Sequence, residues 1–206
     1  MTLHIGITGR MGSGKSFVCS IFEEEFHIPV FYSDKEAKNC YQTPNVRQEV
    51  FRLFGEKAFL SDGGYNWQAI GQMAFQENDK LQRLNAIIHP LVINNYQEWQ
   101  SEQTSPYTLF ESAIIYEQHL DSFFDAVIYI QCPVEIIMQR VQLRNGWNQG
   151  MVEQRLQQQQ FQEDCAHKAA FLIQHNSQAS IAEGRKRLLP QIQHIHKQLM
   201  DISGFK

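Results

Sequence analysis

Five short apolar runs are spaced along the chain, and the stretches between them have the periodicity of amphipathic helices. The runs have the length of buried strands and lie at residues 3–7, 28–32, 107–111, 126–131 and 170–176. Strands that alternate with helices are typical of a parallel sheet. We therefore predict an α/β fold in which helices flank a five-stranded parallel sheet.

Residues 36–101 lack a strand pattern and favour helices instead. Apolar residues keep helical spacing at Val46, Val50, Leu53, Leu81, Leu84, Ile88 and Leu91. Residues 61–64, Ser-Asp-Gly-Gly, predict a turn. Pro90 predicts a break, with a new helix beginning at the proline. This stretch is too long for a simple crossover between strands, so it predicts a helical insertion. Its aromatic residues are expected in the core rather than against a ligand: Phe51, Phe54, Phe59, Trp67 and Phe75.

A glycine-rich segment follows the first predicted strand and precedes a helical pattern. Residues 9–16, Gly-Arg-Met-Gly-Ser-Gly-Lys-Ser, fit the P-loop pattern G-x-x-x-x-G-K-S. Glycines allow successive backbone N–H groups to face one point, and the helix N-terminus adds a partial positive charge, so the segment predicts a phosphate site. Lys15 would place its charge near the terminal phosphates of a nucleotide, and the Ser16 hydroxyl would bind Mg²⁺.

Polar residues follow the predicted strands at the edge where α/β sheets bind ligands. Asp34 follows the second strand, Glu111 ends the third and Asn176 ends the fifth. The local pattern gives Asp34 two equal interpretations: an acid in the ligand site, or an acid that stabilises a helix N-terminus. Ser33 with Glu36 three residues later is a capping-box pattern, which predicts that a helix begins here.

Three arginines surround a turn that contains glycine. Arg140 and Arg144 are four residues apart and share one face of a predicted helix, and Arg155 lies in the next helix. The chain has only 18 lysines and arginines, so this group is a candidate phosphate clamp. The alternative is a solvated helix face.

Composition excludes several classes of protein. Apolar residues make up 43% and charged residues 19%, as in ordinary globular proteins. The net charge of −4 gives no indication of binding to nucleic acid or a membrane surface, and no apolar run predicts a membrane span. The four cysteines are scattered without a C-x-x-C pair, which argues against a zinc site or disulfide framework. We expect reduced thiols, a cytoplasmic location and small-molecule partners.

Taken in order, these motifs resemble the dephospho-CoA kinase family over nearly the whole chain. The resemblance includes the P-loop from Thr8 to Ser16, Asp34, the three arginines and Asn176. Many families share the P-loop. The stretches Ile88-His89-Pro90 and Phe110-Glu111-Ser112, at these spacings, make the resemblance specific.

The resemblance implies ATP-dependent phosphorylation of the ribose 3′-hydroxyl of dephospho-CoA, with Mg²⁺. It implies a P-loop NTPase core made of residues 1–35, 102–138 and 168–206. It also implies a helical substrate-binding subdomain at residues 36–101 and a small lid at residues 139–167.

The resemblance also implies roles for individual residues. Asp34, Lys15 and Arg140 are expected to be catalytic, with Asp34 accepting the hydroxyl proton. The residues expected to bind ATP and its metal ion are Gly12, Ser13, Gly14, Lys15, Ser16, Arg144 and Asn176, with Ser16 as the Mg²⁺ ligand. Those expected to contact dephospho-CoA are Thr8, Asp34, His89 and Glu111.

The chain departs from the family pattern at four positions. Arg10 stands where glycine is usual and would add a cation facing the site, while Trp67 stands for arginine and Ala170 for aspartate. Cys165 stands for a lysine that Lys168 could replace. These differences affect the lid and the adenine pocket rather than the reaction.

Two other functions remain open at this point. Another P-loop nucleoside or nucleotide kinase would share the loop and the arginines but use a different acceptor. A non-catalytic ATP-binding regulator would keep Lys15 and Ser16 without needing Asp34 or the arginines. A GTPase is disfavoured because the chain has no Asn-Lys-x-Asp motif.

Overall fold

The computed structural model describes residues 2–176 and 180–204, and the side chains of all of these except 74–76, 78 and 81. It divides into two compact units, Met1–Tyr32 with Gln103–Lys206, and Ser33–Glu102. The second unit begins at Ser33, three residues before the predicted insertion. Residues 139–167 belong to the first unit.

The first unit is built on a five-stranded sheet whose strands are all parallel. The strands are β1 (Leu3–Thr8), β2 (Val30–Tyr32), β3 (Tyr107–Glu111), β4 (Ala126–Gln131) and β5 (Phe171–Gln174). Their order is β2-β3-β1-β4-β5. This confirms the predicted α/β fold, although β2 and β5 are shorter than predicted. β3 is buried along its whole length, which explains its mostly apolar sequence.

Helices cover the sheet and complete the core of this unit. They are α1 (Lys15–Phe26), α6 (Val134–Asn145), α7 (Gln149–Gln158), α8 (Gln160–Asp164) and α9 (Ile181–Ser203). Helix α9 packs its apolar face, with Leu188, Ile192 and Leu199, into the same core as Val18 and Phe22 of α1. Helix α9 is the C-terminal helix of this unit. Within residues 2–176 and 180–204, no helix is long and apolar enough to cross a membrane.

The second unit is helical, as the sequence predicts. Its helices are α2 (Ser33–Cys40), α3 (Pro44–Phe54), α4 (Trp67–Gln76) and α5 (Asn78–Ser101). Val46 and Val50 of α3 are buried, as are Leu84 and Ile88 of α5, which confirms their assignment to helix faces. The turn at 61–64 also forms, closed by an antiparallel bridge between Phe59 and Tyr65 on either side of it.

The prediction that Pro90 begins a new helix is wrong. Helix α5 continues through Pro90, which is exposed. Ile88 and Val92 on either side of it are both buried on one helix face. Proline inside a helix costs about 3 kcal/mol. Burial of this face both before and after the proline offsets that cost, so the local signal does not end the helix.

The expectation that the aromatic residues of this unit are core residues is only partly correct. Phe54 is buried, but Phe51 is 54% exposed and Trp67 is 47% exposed. Trp67 packs edge-on against Tyr41, with ring centroids 4.7 Å apart. The Phe75 side chain lies outside the described part. The helical unit therefore presents aromatic surface to solvent.

Candidate active site

The glycine-rich loop connects β1 to the N-terminus of α1. Gly12 and Gly14 have positive φ angles of 72° and 98°, which favour glycine. A Cβ atom on Gly12 would lie 2.7 Å from the Val141 side chain, and one on Gly14 would collide with the His175 ring. No side chain caps the N-terminus of α1. Its first N–H groups therefore suit an anion, as the motif predicts.

Lys15 is held inside this loop. Its ammonium group donates to the carbonyl oxygens of Gly9 at 3.1 Å and Arg10 at 3.4 Å, and lies 4.0 Å from a Glu111 carboxylate oxygen. Lys15 is 8% exposed and Glu111 is 5% exposed. Glu111 is paired in the sheet with Ile7 of β1, so the strand register brings this acid to the loop. The two predicted site residues are therefore a buried ion pair at the carboxyl edge of the sheet.

Arg140 extends from α6 onto the same loop. Its Nη1 lies 3.3 Å from the carbonyl oxygens of both Gly12 and Ser13. The guanidinium also contacts the imidazole of His175, with Nη2 2.9 Å from Nε2. A second cation thus lies at the predicted phosphate loop.

The other two arginines of the predicted clamp have different surroundings. Arg144 is exposed and donates to the side chain of its neighbour Asn145 at 2.8 Å. The Arg155 guanidinium lies 6.0 Å from the centre of the Trp147 ring. Of the three arginines, Arg140 is the one that contacts the P-loop among the described residues.

Two polar residues, Gln159 between α7 and α8 and Gln162 of α8, contact the loop and β1, and the sequence did not single them out. The Gln159 side chain accepts the Met11 N–H at 2.8 Å. The Gln162 amide lies 3.4 Å from the Thr8 hydroxyl and also donates to the Ala113 carbonyl oxygen. Thr8 is fully buried. The run of four glutamines at 157–160 was the available sequence signal for Gln159. Helical periodicity alone does not show which glutamine of the run faces the loop, and Gln162 lies outside the run.

Arg10 does not face the site as a free cation, contrary to expectation. Its Nε lies 3.2 Å from the Glu163 carboxylate, and Arg10 is 8% exposed. Glu163 also accepts from the Tyr129 hydroxyl at 2.9 Å. Acid and base are 153 residues apart in sequence, so no local pattern could pair them. The extra charge is neutralised by α8.

Asp34 and His89 both lie in the helical unit. Asp34 is exposed in the first turn of α2, two residues after Tyr32, the β2 residue that pairs with Glu111. The helix begins at Ser33 as predicted. Its Glu36 carboxylate accepts from Asn39 and Asn95 side chains instead of forming the predicted capping box. His89 is partly exposed in the middle of α5.

Comparison with known proteins decides between the candidate kinase families. The dephospho-CoA kinase family model matches residues 3–181, well over half of the chain.

The chain belongs to the dephospho-CoA kinase family.

Individual relatives agree with this assignment. The chain is 32% identical over 194 residues to the dephospho-CoA kinase of Bacteroides fragilis, with 93% of this chain and 90% of the relative covered. It is 31% identical over 173 residues to that of Fusobacterium nucleatum, with 84% and 89% covered. The solved structure of dephospho-CoA kinase from Campylobacter jejuni has the same fold, with a TM-score of 0.66 at 22% identity and coverage of 96% and 99%. Membership confirms the resemblance seen in the sequence, and with it an ATP-dependent kinase.

The end of β5 presents two neighbouring polar residues, His175 and Asn176. Asn176, predicted to bind ATP, is exposed just after β5 and lines a cavity of about 290 Å³ with Arg10, Cys132 and Glu163. Its neighbour His175, which sequence reasoning missed, is 5% exposed and contacts both the P-loop and Arg140. Burial, and then the nearby Arg140 charge, lower the pKa of His175 below its usual value.

The other two family departures are also resolved in the structure. Cys165 is buried, whereas Lys168 is exposed in a short 3₁₀ turn, Ala166–Lys168. Ala170 is exposed just before β5. Lys168 therefore does not occupy the buried position of Cys165, where the family usually has a lysine.

Proposed function

We propose that this protein transfers the γ-phosphate of ATP to the ribose 3′-hydroxyl of dephospho-CoA, with Lys15 and Arg140 as the principal phosphate ligands. The observation that supports this most directly is that both cations contact the same glycine-rich loop. Phosphoryl transfer depends mainly on positioning and on charge aimed at the transferred group. Bound phosphate would compete with the Gly9 and Gly12 carbonyl oxygens for these two cations.

Mg²⁺ fits this site through Ser16. The Ser16 hydroxyl is exposed in the first turn of α1, next to Lys15. The part of the chain that the structure describes contains no cluster of three or more His, Cys, Asp or Glu side chains able to hold a metal ion. Mg²⁺ commonly takes few protein ligands and completes its shell with phosphate oxygens and water. When bound, the ion would neutralise charge on the β- and γ-phosphates.

Asp34 is proposed as the group that orients the acceptor hydroxyl and takes its proton. A base must be available to the acceptor, and Asp34 is exposed. It follows β2 by two residues, and β2 pairs with the strand that ends in Glu111. In parallel sheets of this kind, ligands bind at the carboxyl ends of the strands.

The helical unit is proposed to bind the pantetheine arm of the acceptor. It contains a cavity of about 710 Å³ lined by Pro44, Arg47, Gln48, Phe51, Glu56, Phe59, Leu60 and Ser61. The Arg47 guanidinium lies over the Phe59 ring, 4.6 Å from its centre, and donates to the Gly63 carbonyl oxygen. Apolar rings beside polar groups suit an arm with alternating methylene and amide groups. His89, Glu111 and Thr8 remain predicted contacts of the acceptor.

We also propose a cytoplasmic enzyme that acts on small molecules. All four cysteines, Cys19, Cys40, Cys132 and Cys165, are free and buried. Buried reduced thiols are typical of proteins in a reducing compartment. ATP and dephospho-CoA are both anionic, so recognition must use local cations rather than the net charge of −4.

Arg140→Ala tests the assignment of this arginine. We expect a loss in kcat/KM for ATP on the order of 10²-fold, because one preorganised cation at the transferred phosphate is removed. Steady-state kinetics at saturating dephospho-CoA measure it. Arg52→Ala is the control, because Arg52 is exposed and its ion-pair partner is Glu49, three residues away. An Arg140→Ala enzyme as active as the control would remove Arg140 from the site.

Residues 139–167 are proposed to act as a lid. In this segment α7 is largely exposed, and polar side-chain contacts to the loop and β1 come from Arg140, Gln159, Gln162 and Glu163. We expect amide hydrogens of residues 139–160 to exchange quickly in the free enzyme and slowly with ATP and dephospho-CoA both bound. Helix α9 is the internal reference, and hydrogen exchange with mass spectrometry measures both. Exchange in 139–160 that is unchanged by ligands would contradict a lid.

A further inference from the structure

The side chain of His175 lies between the P-loop and Arg140. Its Nδ1 is 2.8 Å from the Ser13 carbonyl oxygen and 3.3 Å from Nη1 of Arg140, and its Nε2 is 2.9 Å from Nη2 of Arg140. The His175 backbone N–H donates to the Gln131 carbonyl oxygen at 2.9 Å, and the ring packs near Phe17, with centroids 5.9 Å apart. These contacts fix both the position and the tilt of the imidazole.

The shortest contact of each ring nitrogen selects one protonation state, and Nη1 of Arg140 donates to the Gly12 and Ser13 carbonyl oxygens rather than to Nδ1. A carbonyl oxygen only accepts, so Nδ1 has the proton and donates it to Ser13. A guanidinium only donates, so Nε2 must offer its lone pair to Arg140. An imidazolium would present an N–H to the guanidinium and place two positive charges together. The lowered pKa of His175, due to burial and to Arg140, agrees with a neutral ring.

We propose that neutral His175 is a positioning residue that orients Arg140 for the phosphates of ATP, and that its protonation releases Arg140 and slows phosphoryl transfer. This inference rests on the assignment of Arg140 made above. An arginine side chain is long and flexible, and phosphoryl transfer slows when it is poorly oriented. Small displacements of a group that binds the phosphate lower the reaction rate. One hydrogen bond to Nε2 restricts the guanidinium to the loop.

Two other ionisable side chains near the imidazole, Cys132 and Arg187, contact groups other than the ring. The Cys132 thiol lies 3.6 Å from Nη1 of Arg140, and burial raises its pKa, so it is neutral. Arg187 of α9 lines a cavity of about 220 Å³ together with His175, but its guanidinium is paired with Glu183 at 2.8 Å. Among the described residues, the charged group in hydrogen-bond contact with the ring is Arg140. A change in the protonation state of His175 should therefore affect the orientation of Arg140.

The test compares His175→Leu, which removes the acceptor, with His175→Gln, which keeps an acceptor that does not titrate. At about pH 8, the Leu variant should lose on the order of 10- to 100-fold in kcat/KM for ATP, and the Gln variant about threefold or less. As pH falls toward about 5.5, wild-type activity should decline relative to the Gln variant, since only wild type gains a proton on residue 175. The ratio of wild-type activity to that of the Gln variant at each pH removes the effect of ATP ionisation, because that effect is the same for both enzymes.

His196→Gln is the matched control. Burial also lowers the pKa of His196, but its Nδ1 contacts the Tyr107 hydroxyl at 2.8 Å and its ring stacks on Phe26. This variant should keep the wild-type pH profile. In an Arg140→Ala background, His175→Leu should cause no further loss, because residues that act through one another are not additive.

Three results would overturn the proposal: a folded Leu variant with wild-type kinetics, an acidic decline that persists unchanged in the Gln variant, or full additivity with Arg140→Ala. If the His175 variants fail to fold, NMR titration of His175 in the Arg140→Gln variant decides. Removal of the guanidinium should raise the pKa of His175, and an unchanged pKa would contradict the coupling. This titration needs no activity, so it separates failure of the coupling from failure of the proposed kinase function.

Discussion

Asp34→Asn is expected to lower kcat by roughly 10²- to 10⁴-fold, with little change in ATP affinity. The amide cannot take a proton from the acceptor hydroxyl, although it has nearly the same shape as the carboxylate. ATP affinity should remain because Asp34 is assigned to the acceptor, while Lys15 and Arg140 contact the phosphate loop. Rapid-quench kinetics for kcat and a separate equilibrium ATP titration measure the two quantities.

Asp79→Asn is the control for the electrostatic role of an acid at a helix start. Asp79 lies in the first turn of α5, as Asp34 lies in the first turn of α2, and both belong to the helical unit. Loss of the favourable interaction with the helix dipole costs about 0.3–1 kcal/mol of stability in either variant. Only Asp34→Asn should lose turnover. Loss of ATP binding with a modest effect on kcat would instead assign Asp34 to the metal or to structure.

Lys15→Ala is expected to lower turnover on the order of 10²- to 10³-fold, because a preorganised charge is lost at the transferred phosphoryl group. The substitution also leaves the buried Glu111 carboxylate without its lysine partner, which lies 4.0 Å away. Some loss of stability is therefore expected together with the loss of rate. Thermal unfolding must be measured alongside kcat, so that inactive folded enzyme is distinguished from unfolded enzyme.

Lys186→Ala provides the comparison for Lys15→Ala. Lys186 is an exposed lysine of α9 in the same compact unit. Its removal should leave both kcat and the melting temperature close to those of wild type. A folded Lys15→Ala enzyme with kcat near that of Lys186→Ala would exclude the P-loop from the mechanism.

The fold and the phosphate loop could be predicted because their signals are local. The strands are short and mostly apolar, and the loop requires glycines at positions with positive φ, such as Gly12 and Gly14. Pro90 misled the prediction because a local helix breaker was outweighed by the burial of Ile88 and Val92 on one face. Exposure of Phe51 likewise depends on packing that no single segment specifies.

The contacts that complete the site were not predictable for a different reason. His175 reaches Ser13 across 162 positions of sequence. Arg10 of the P-loop is neutralised by Glu163, which lies on helix α8. A cation in a P-loop suggests a phosphate ligand until its acidic partner is known. Such pairs arise from tertiary packing, and the sequence gives only the residue types at each end.

Product formation from a panel of acceptors is the most direct test of the proposed reaction. Purified protein with saturating ATP and Mg²⁺ would be given dephospho-CoA, adenosine or a nucleoside monophosphate, with ADP release and ³¹P NMR of the products measured together. We predict that one molecule of coenzyme A, phosphorylated at the ribose 3′-hydroxyl, forms for each ADP released. Adenosine should show a lower kcat as well as weaker binding than dephospho-CoA, because the remote arm helps to orient the ribose hydroxyl. Equal kcat/KM for adenosine and dephospho-CoA, or ADP release without acceptor phosphorylation, would contradict the account.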